Sequence, residues 1–316
     1  MIISASRRTD LPSCYFEWFL HRLKEEYVLV RNPRNPRQIS RVSLSPEVVD
    51  GIVFWTKNPA PMLGYLGELE KYRYYFQFTL TAYGPEAEPG LPSKNKTIIP
   101  AFRQLSREIG RERVIWRYDP IFLSPRYTWE YHCRYFEVLA SRLASYTGRC
   151  TVSFLDWYQK TRKNARGLGI VHMDVNQQTE LLGCLASIGE KYGIILDVCG
   201  EDQDYSSAGV LQAHCIDKGL LEQIGNYKLK VSRDKNQRSA CGCISSIDIG
   251  AYDTCQNGCL YCYANESPAA VQGNCAKHDP RAPLLFGDVE PGDMIHERTM
   301  KSHADGQLSL FDDVER

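Results

Sequence analysis

Short apolar runs rich in β-branched and aromatic residues recur along the chain, and stretches with helical periodicity separate most of them. The runs predict strands over Ile2–Ser6, Tyr27–Arg31, Gly51–Thr56, Tyr74–Ala82, Arg113–Tyr118, Thr151–Asp156, Gly193–Cys199 and Ser246–Tyr252. The stretches between them predict helices over Cys14–Glu26, Ala60–Lys71, Ile98–Ile109, Thr128–Ser145, Val175–Tyr192, Ala208–Ile224 and Cys259–Ala270. This alternation is typical of an α/β fold with a parallel sheet, and the number of units predicts a TIM-like (β/α) barrel, closed or nearly closed.

The chain has 316 residues, of which 43% are hydrophobic, enough for one sizeable core in a single main domain. We expect residues 1–245 to form the body of the barrel. Residues 246–290 would supply the last strand, the loop after it and a helix that closes the barrel. Residues 291–316 are mostly polar and charged, and we expect them to form a flexible tail.

Charge and cysteine content narrow the cellular setting. Lysine plus arginine equals aspartate plus glutamate at 38 each, so no global field attracts the protein to nucleic acid or to a membrane surface. No apolar stretch resembles a signal peptide or is long enough to span a bilayer. We therefore expect a cytoplasmic protein without a membrane partner, in which the 12 cysteines do not form a disulfide framework and point to metal binding.

Three cysteines near the carboxyl end, Cys255, Cys259 and Cys262, have spacings of four and three residues. A full cage for an iron-sulfur cluster needs four cysteine thiolates, so three would hold a [4Fe-4S] cluster and leave one iron open to a small molecule. Gly258 permits the tight turn that brings the thiols together. The alternatives are a structural zinc knuckle and three buried thiols without a metal.

This spacing, with Tyr261 directly before the last cysteine, resembles the cluster loop of the radical S-adenosylmethionine superfamily. The run Leu260–Tyr263 is most similar to the branch that contains spore photoproduct lyase. The resemblance implies that the three cysteines bind the cluster, that S-adenosylmethionine is the cofactor and that Tyr261 lies near its adenine.

The position of this loop in the chain differs from that of the superfamily, where the loop follows the first strand of the barrel. Here it follows the last predicted strand, Ser246–Tyr252. The resemblance therefore implies a circularly permuted barrel in which this strand lies beside Ile2–Ser6. The Gly-Gly-Glu motif that holds the cofactor's amino group has no counterpart in this chain, and Ser6 and Asp10 are the candidates to replace it.

Polar residues are concentrated where the predicted strands end, and barrel active sites form at the carboxyl ends of strands. The candidates for substrate binding and catalysis are Arg7, Lys57, Arg117 and Asp119. An arginine can clamp a carboxylate or phosphate through two hydrogen bonds, and an aspartate can bind ribose hydroxyls or an ammonium group. The alternative is that these charges pair with one another at the mouth of the barrel.

Four more cysteines precede the loop: Cys199 at the end of a strand, Cys215 on the predicted helix that follows, and Cys241 and Cys243 on a turn. Four thiolates complete a cage, so these residues predict a second [4Fe-4S] cluster without an open iron or a structural zinc ion. Burial as isolated thiols is the alternative. Cys14 has apolar neighbours and is expected in the core.

Several runs together resemble a bacterial family described as domain of unknown function 1848. They are Ser6–Asp10, Phe54–Pro59, Trp116–Pro120, Cys241–Cys243, Asp248–Tyr252 and Cys262–Asn265. The resemblance covers about residues 1 to 285 and implies a radical S-adenosylmethionine-like cysteine cluster, but no substrate.

Local charge gives a hint about the substrate. Arg31, Arg34, Arg37 and Arg41 occupy a loop that two prolines keep extended. Such a loop could bind phosphate, and Trp55, Trp116 and Trp157 could stack on bases. A solvated loop and core tryptophans are the alternative.

A short apolar peptide near the end of the chain suggests a partner. It consists of Gln307, Leu308, Ser309, Leu310 and Phe311 within an otherwise polar segment. The peptide resembles the motif by which bacterial replication and repair proteins bind the sliding clamp, which would place the protein on DNA. The alternative is that it docks on its own barrel.

These observations predict an iron-sulfur enzyme of the radical S-adenosylmethionine type. The reduced cluster, supplied by an electron donor, would cleave the cofactor to a 5'-deoxyadenosyl radical that abstracts hydrogen from a damaged nucleic acid base. Two other functions are open: a metal- and nucleic-acid-binding module without catalysis, and an iron-sulfur enzyme that acts on a small molecule.

Overall fold

The computed structural model describes residues 1–238 and 240–305. Their strands are β1 (Ile2–Ala5), β2 (Tyr27–Asn32), β3 (Asn35–Ser43), β4 (Gly51–Thr56), β5 (Tyr74–Thr79), β6 (Val114–Ile121), β7 (Arg149–Phe154), β8 (Ile195–Val198), β9 (Leu211–Gln212), β10 (Ile247–Asp248) and β11 (Met294–Glu297). Eight of them form one parallel sheet in the order β10-β1-β4-β5-β6-β7-β8-β9, and β11-β3-β2 form a second sheet. The predicted α/β class with a large parallel sheet is confirmed.

The α-helices of the described residues are α1 (Leu11–Cys14), α2 (Phe16–Lys24), α3 (Ile99–Ile109), α4 (Trp129–Leu143), α5 (Gln159–Asn164), α6 (Val175–Lys191), α7 (Lys218–Gly225) and α8 (Pro268–Cys275). One face of the large sheet, with Phe54 and Phe76, packs in the main core with α2, α3, α4 and α6. The opposite face, with Val53 and Tyr75, packs against the segment that carries Cys215. Successive side chains of a strand point to opposite faces, which explains this division. None of the helices described is long and apolar enough to cross a membrane.

The strand before the three-cysteine loop lies beside the first strand of the chain, as predicted. β10 pairs in parallel with β1, with Ser4 opposite Asp248. Ser4 and Ser6 both donate hydrogen bonds to the Asp248 carboxylate, at 2.6 and 2.7 Å. β10 is shorter than the predicted Ser246–Tyr252, and β10 and β9 are the two edges of the sheet.

The prediction that the second strand belongs to the large sheet is wrong. β2 lies in the smaller sheet and pairs antiparallel with β3, because the chain turns back within the segment predicted to be an extended basic loop. Arg31 pairs with Asp293 at 2.9 Å, and Arg41 pairs with Glu297 at 3.0 Å. Two of the four arginines of the predicted phosphate-binding patch are therefore paired with carboxylates.

Two helices differ from prediction near the cysteines, and capping residues explain both. Asp217 accepts a hydrogen bond from the Leu220 N–H at 3.2 Å and starts α7 there, so Cys215 lies in a loop and not on a helix as predicted. The helix predicted over Cys259–Ala270 is replaced by α8, which begins at Pro268, directly after the capping residue Ser267. The chain between the last ligand candidate and α8 therefore consists of turns.

Part of the predicted tail is structured. β11 lies within residues 291–316 and pairs in parallel with β3. The Met1 ammonium group donates a hydrogen bond to the Lys301 carbonyl at 3.1 Å, which holds this segment against the amino terminus. The predicted clamp-binding peptide, residues 307–311, lies outside the described residues.

Polar side chains are buried on the face of the large sheet that packs against the cysteine-bearing segment. Ser4, Gln77, Arg117, Thr151 and Asp197 alternate with the apolar residues of that face and are at most 6% exposed. Burying polar groups is costly unless they are hydrogen-bonded, so this face is built for specific partners rather than for apolar packing alone.

Buried His132 of α4 predicts a loss of stability in mild acid. Its Nε2–H donates to the Phe122 carbonyl at 2.9 Å, and its Nδ1 accepts from the Tyr118 hydroxyl at 2.9 Å, so the ring is neutral. Burial lowers the pKa of His132 from 6.5 to about 4. Between these values the unfolded chain binds the proton more readily, so stability is full above pH 6.5 and is lost as the pH falls toward 4.

We expect this histidine to lower the free energy of unfolding by about 2 kcal/mol between pH 7.5 and pH 5. Urea unfolding at the two pH values measures the loss, and His132→Asn is the matched variant because it removes the titrating ring. The pH dependence should be smaller in that variant by the same amount. Equal pH dependence in both proteins would contradict the assignment.

Candidate metal and cofactor site

The three spaced cysteines lie on a loop that is held by backbone hydrogen bonds to the segment after β5. The Leu260 N–H donates to the Ala87 carbonyl at 2.9 Å, and the Gly90 N–H donates to the Asn257 carbonyl at 3.0 Å. Gly258 has a φ of 64°, in the left-handed region that glycine favours. The tight turn predicted from the sequence is therefore present, and its neighbours fix its position.

The thiols of Cys255, Cys259 and Cys262 are half-buried, and all three lie on this one loop. Burial raises the pKa of the Cys259 and Cys262 thiols, and the nearby Cys255 raises both further. The Ala264 N–H donates to the Cys262 sulfur at 3.3 Å. Cys14 is half-buried and packs against the main core, as expected, and its thiol also interacts with that of Cys255 on this loop.

A buried carboxylate that the sequence predictions missed lies beside this loop. Glu88, with a side chain that is 1% exposed, accepts hydrogen bonds from Lys57 at 2.8 Å and from Lys94 at 2.6 Å. It also accepts from the Thr81 hydroxyl at 2.8 Å and from the Tyr261 hydroxyl. Because Lys57 donates to the same Tyr261 hydroxyl at 3.0 Å, the aromatic residue of the loop is fixed at its polar end.

The charge state of this network follows from its geometry. Burial by itself would raise the pKa of the Glu88 carboxyl, but the charges of Lys57 and Lys94 outweigh it and lower that pKa to about 2. Burial by itself would lower the pKa of Lys57, but the Glu88 carboxylate raises that pKa above its usual range. At neutral pH the network therefore contains the Glu88 carboxylate and the Lys57 ammonium group, while burial lowers the pKa of Lys94.

The two predicted replacements for the Gly-Gly-Glu motif are already occupied by protein groups. The Asp10 carboxylate accepts from the Lys57 N–H at 2.7 Å, from the Asn257 side chain at 2.9 Å and from the Ser13 N–H at 3.0 Å. Ser6 donates to Asp248. Asp10 thus joins α1, the end of β4 and the three-cysteine loop.

The four other predicted metal ligands lie on one face of the large sheet, and the helices of the main core pack on the other face. The sulfurs of Cys199 and Cys215 are 2.7 Å apart, Cys215 contacts Cys243, and Cys243 contacts Cys241. Each of the four is at most 9% exposed. We refer to Cys199, Cys215, Cys241 and Cys243 as the four-cysteine group.

Arg117 and Asp119 lie beside the four-cysteine group. Arg117 forms two hydrogen bonds with Asp119, at 2.6 and 3.0 Å, and its Nη1 lies 2.9 Å from the Cys215 sulfur. Arg117 also donates to Gln77 at 3.3 Å. The side chain is therefore engaged with protein groups on several sides. The Asp119 carboxylate, together with Glu88, also raises the pKa of Lys57, the lysine beside the three-cysteine loop.

The remaining predicted residues of the pocket are distributed around these sites. The Arg7 guanidinium lies 5.5 Å from the centre of the Trp55 ring and near Cys215 and Cys243. Trp116 is fully buried in the main core, which agrees with the alternative of a core tryptophan and leaves it unable to stack on a base. Trp157 is 38% exposed and remains accessible.

Residues 1–238 and 240–305 contain no group of three or more histidine, cysteine, aspartate or glutamate side chains already arranged around a metal position. The donor chemistry of the three-cysteine loop nevertheless fits a cluster, because thiolates are its usual ligands. An unpaired acceptor lies in the same region. The Oδ1 atom of Asn265 is buried without a hydrogen-bond partner, while its Nδ2 donates to the Cys255 carbonyl at 2.8 Å.

Substitution of Gly90 tests whether the close packing of the three-cysteine loop contributes to stability. A Cβ at this position would lie 2.5 Å from the carbonyl oxygen of Gln256 and 2.7 Å from that of Asn257. We expect Gly90→Ala to displace the loop and to lower the free energy of unfolding by about 1 to 3 kcal/mol, as measured by urea unfolding. Gly64→Ala is the control, because its Cβ would meet nothing within 4 Å. Equal stability of both variants would contradict the packing argument.

Comparison with known proteins gives a family but no close relative. Neither a curated protein nor a solved structure matches the chain. The family model described as Domain of unknown function (DUF1848) matches residues 2–264. That range includes the four-cysteine group and the whole of the three-cysteine loop. The chain therefore belongs to the family described as Domain of unknown function (DUF1848).

Proposed function

We propose that this protein is a radical S-adenosylmethionine-type enzyme with one [4Fe-4S] cluster on Cys255, Cys259 and Cys262. The observation that carries the proposal is that the three cysteines lie on one loop, anchored by backbone hydrogen bonds, which follows a strand of the parallel sheet. Three thiolates leave one iron without a protein ligand. When bound, the cluster and cofactor supply radical chemistry that removes a hydrogen atom from a substrate, after reduction by an electron donor.

The proposal interprets the fold as a circularly permuted barrel of the radical S-adenosylmethionine type. The order of the large sheet supports this view. If the sheet is followed from β10 through β1 and β4 to β9, the cysteine loop comes after the first strand in that order. The carboxyl ends of all eight strands then lie on one side, where barrel enzymes place their active sites.

The residues of the loop would position the cofactor. Tyr261 is fixed by Glu88 and Lys57 and presents its ring beside the last cysteine. The sequence points to Ser6 and Asp10 for the cofactor's amino group, but both already bind protein groups. We assign this contact to the unpaired Oδ1 of Asn265, because a buried acceptor without a partner is costly until a donor reaches it.

The substrate would bind near the carboxyl ends of β1, β4 and β6, where Arg7, Lys57, Arg117 and Asp119 lie. Arg117 is engaged with Asp119 and Cys215, so its direct role is to hold Asp119 in place. Asp119 is half-buried, pairs with Arg117 beside the four-cysteine group and raises the pKa of Lys57 beside the three-cysteine loop. It is therefore the residue of this group that we propose to face the substrate.

We propose a damaged nucleic acid base as the substrate class and the sliding clamp as a partner. The similarity of the loop to that of spore photoproduct lyase supports the first, and residues 307–311 support the second. Clamp binding is measured by surface capture of the full-length protein, which Leu310→Ala combined with Phe311→Ala should abolish. Asp312→Ala is the control. Clamp-independent activity on a small molecule would contradict the DNA assignment.

The proposed chemistry is tested on protein purified without oxygen. The reduced wild-type protein is incubated with S-adenosylmethionine, and methionine and 5'-deoxyadenosine are quantified over time. We expect both products, with about four iron and four sulfide ions bound by the loop. Zinc in place of iron at the loop, or an intact cluster that never cleaves the cofactor, would contradict the proposal.

A further inference from the structure

We propose that the four-cysteine group binds one zinc ion, which joins the two edges of the large sheet. This site is separate from the three-cysteine loop, and it does not depend on the proposed radical chemistry. Nothing in the family description assigns a metal to these residues.

Three separate segments bring the four sulfurs together. Cys199 directly follows β8, Cys215 lies between β9 and α7, and Cys241 and Cys243 precede β10. Their sulfurs form an unbroken series of contacts, with Cys199 and Cys215 2.7 Å apart and Cys243 in contact with both Cys215 and Cys241. Free thiols from distant parts of a chain have little to gain from meeting in a buried space, whereas a thiophilic ion requires it.

The backbone around the group is fixed by hydrogen bonds that do not involve the sulfurs. The Cys215 carbonyl accepts from the Tyr75 hydroxyl at 2.7 Å and from the Gln77 side chain at 2.9 Å. The Cys243 carbonyl accepts from the Asp234 N–H at 2.9 Å. The backbone at Cys215 is therefore held by β5 of the large sheet, and the backbone at Cys243 is held by the loop that contains Asp234.

Two cationic side chains lie beside the four-cysteine group. A zinc ion with four thiolates carries a net charge of −2, which is costly to bury without compensation. Arg117 lies 2.9 Å from the Cys215 sulfur, and Arg7 interacts with Cys215 and Cys243. These two guanidinium groups offset that charge in part, because Arg117 also pairs with Asp119 and Arg7 also interacts with Asp248.

The spacing of the sulfurs favours a single ion over a cluster. At a Zn–S distance of about 2.3 Å, tetrahedral geometry separates two sulfurs by roughly 3.8 Å. Cys199 and Cys215 are 2.7 Å apart, so loading requires them to separate by about 1 Å, within the reach of a side-chain rotation. A [4Fe-4S] core would have to insert four irons and four sulfides among the same sulfurs, which needs a much larger displacement.

The position of the ion explains how the large sheet is completed. β9 and β10 are its edges, and exposed edges are a liability in parallel sheets. Cys215 follows β9 by three residues, and Cys243 precedes β10 by four residues. A zinc ion bound by both would connect the two edges in place of the backbone hydrogen bonds that adjoining strands would form.

The test measures zinc and iron separately in the full-length protein. Protein from zinc-supplemented cells is analysed for both metals by mass spectrometry, for wild type, Cys243→Ser and Cys150→Ser. Cys150 is a buried thiol outside both sites and serves as the control. We expect about one zinc per chain in wild type and in Cys150→Ser, and at least a tenfold loss in Cys243→Ser. Wild-type protein loaded with cobalt(II) should show the absorption bands of a four-thiolate tetrahedral site.

The outcomes separate this inference from the proposed function. Protein that contains zinc but no iron would support the zinc site and count against the radical enzyme. Protein that contains iron at the three-cysteine loop but no zinc would support the radical enzyme and count against the zinc site. If Cys243→Ser fails to fold, the cobalt spectrum of wild type decides, and a spectrum of three or fewer thiolates would overturn the proposal. About eight iron per chain, or zinc unchanged in Cys243→Ser, would overturn it as well.

Discussion

Cys259→Ala is expected to abolish cofactor cleavage and to reduce iron and sulfide from about four of each per chain toward zero. With one of three thiolates removed, the loop supplies only two ligands, too few to hold the cluster. Cys259 also lies next to the Lys57 and Glu88 network, which remains intact in this variant. Iron and sulfide analysis and the yield of 5'-deoxyadenosine measure the two effects on the same sample.

The matched control is Cys184→Ser, which changes a half-buried thiol of α6 far from the loop in sequence. It should retain iron, sulfide and activity. Zinc content should stay the same in both variants, because the four-cysteine group is not touched. A Cys259→Ala protein that keeps its iron and cleaves the cofactor would show that the cluster is held elsewhere.

Glu88→Ala is expected to lower the free energy of unfolding by about 3 to 5 kcal/mol. The variant leaves Lys57 and Lys94 as like charges facing a space that no carboxylate neutralises, and it removes an acceptor of the Tyr261 hydroxyl. Urea unfolding of the full-length protein without metal measures the effect. Because Tyr261 belongs to the three-cysteine loop, we also expect weaker iron binding.

The control for this variant removes a carboxylate from an exposed ion pair. Glu68 pairs with Lys24 at 3.4 Å, and both side chains are largely exposed. Glu68→Ala should change the free energy of unfolding by less than about 1 kcal/mol. Glu88→Gln should lie between the two, because it keeps the shape but loses the charge. Equal effects of Glu88→Ala and Glu68→Ala would contradict the buried network.

Most strands of the large sheet could be predicted because each is a short apolar run, rich in β-branched and aromatic residues. Val53 and Tyr75 lie in runs that are apolar on both faces, as buried parallel strands are. The neighbouring positions of β10 and β1 could be predicted from the similarity of the cysteine loop to a known arrangement. The four-cysteine group could be predicted only as a set, since spacing in sequence does not show which distant segments meet.

Other features depend on tertiary contacts, which the hydrophobic periodicity of the sequence does not reveal. β2 has the pattern of a buried strand, but its partner β3 lies in a polar, arginine-rich stretch, and β11 lies in the segment that the sequence predicts to be a tail. Glu88 stands in a proline-rich segment several residues after β5, and only the fold brings it to Lys57 and Lys94. The one feature of the sequence that could have pointed to Glu88 was its position after a predicted strand of the barrel.

The most direct test of the central claim is the electron paramagnetic resonance spectrum of the reduced protein with and without S-adenosylmethionine. An open iron on Cys255, Cys259 and Cys262 would accept the amino acid end of the cofactor as a ligand, so the account predicts a reduced [4Fe-4S] signal that changes when the cofactor is added. A cluster signal that stays identical with saturating cofactor, or no cluster signal in the reconstituted protein, would contradict it.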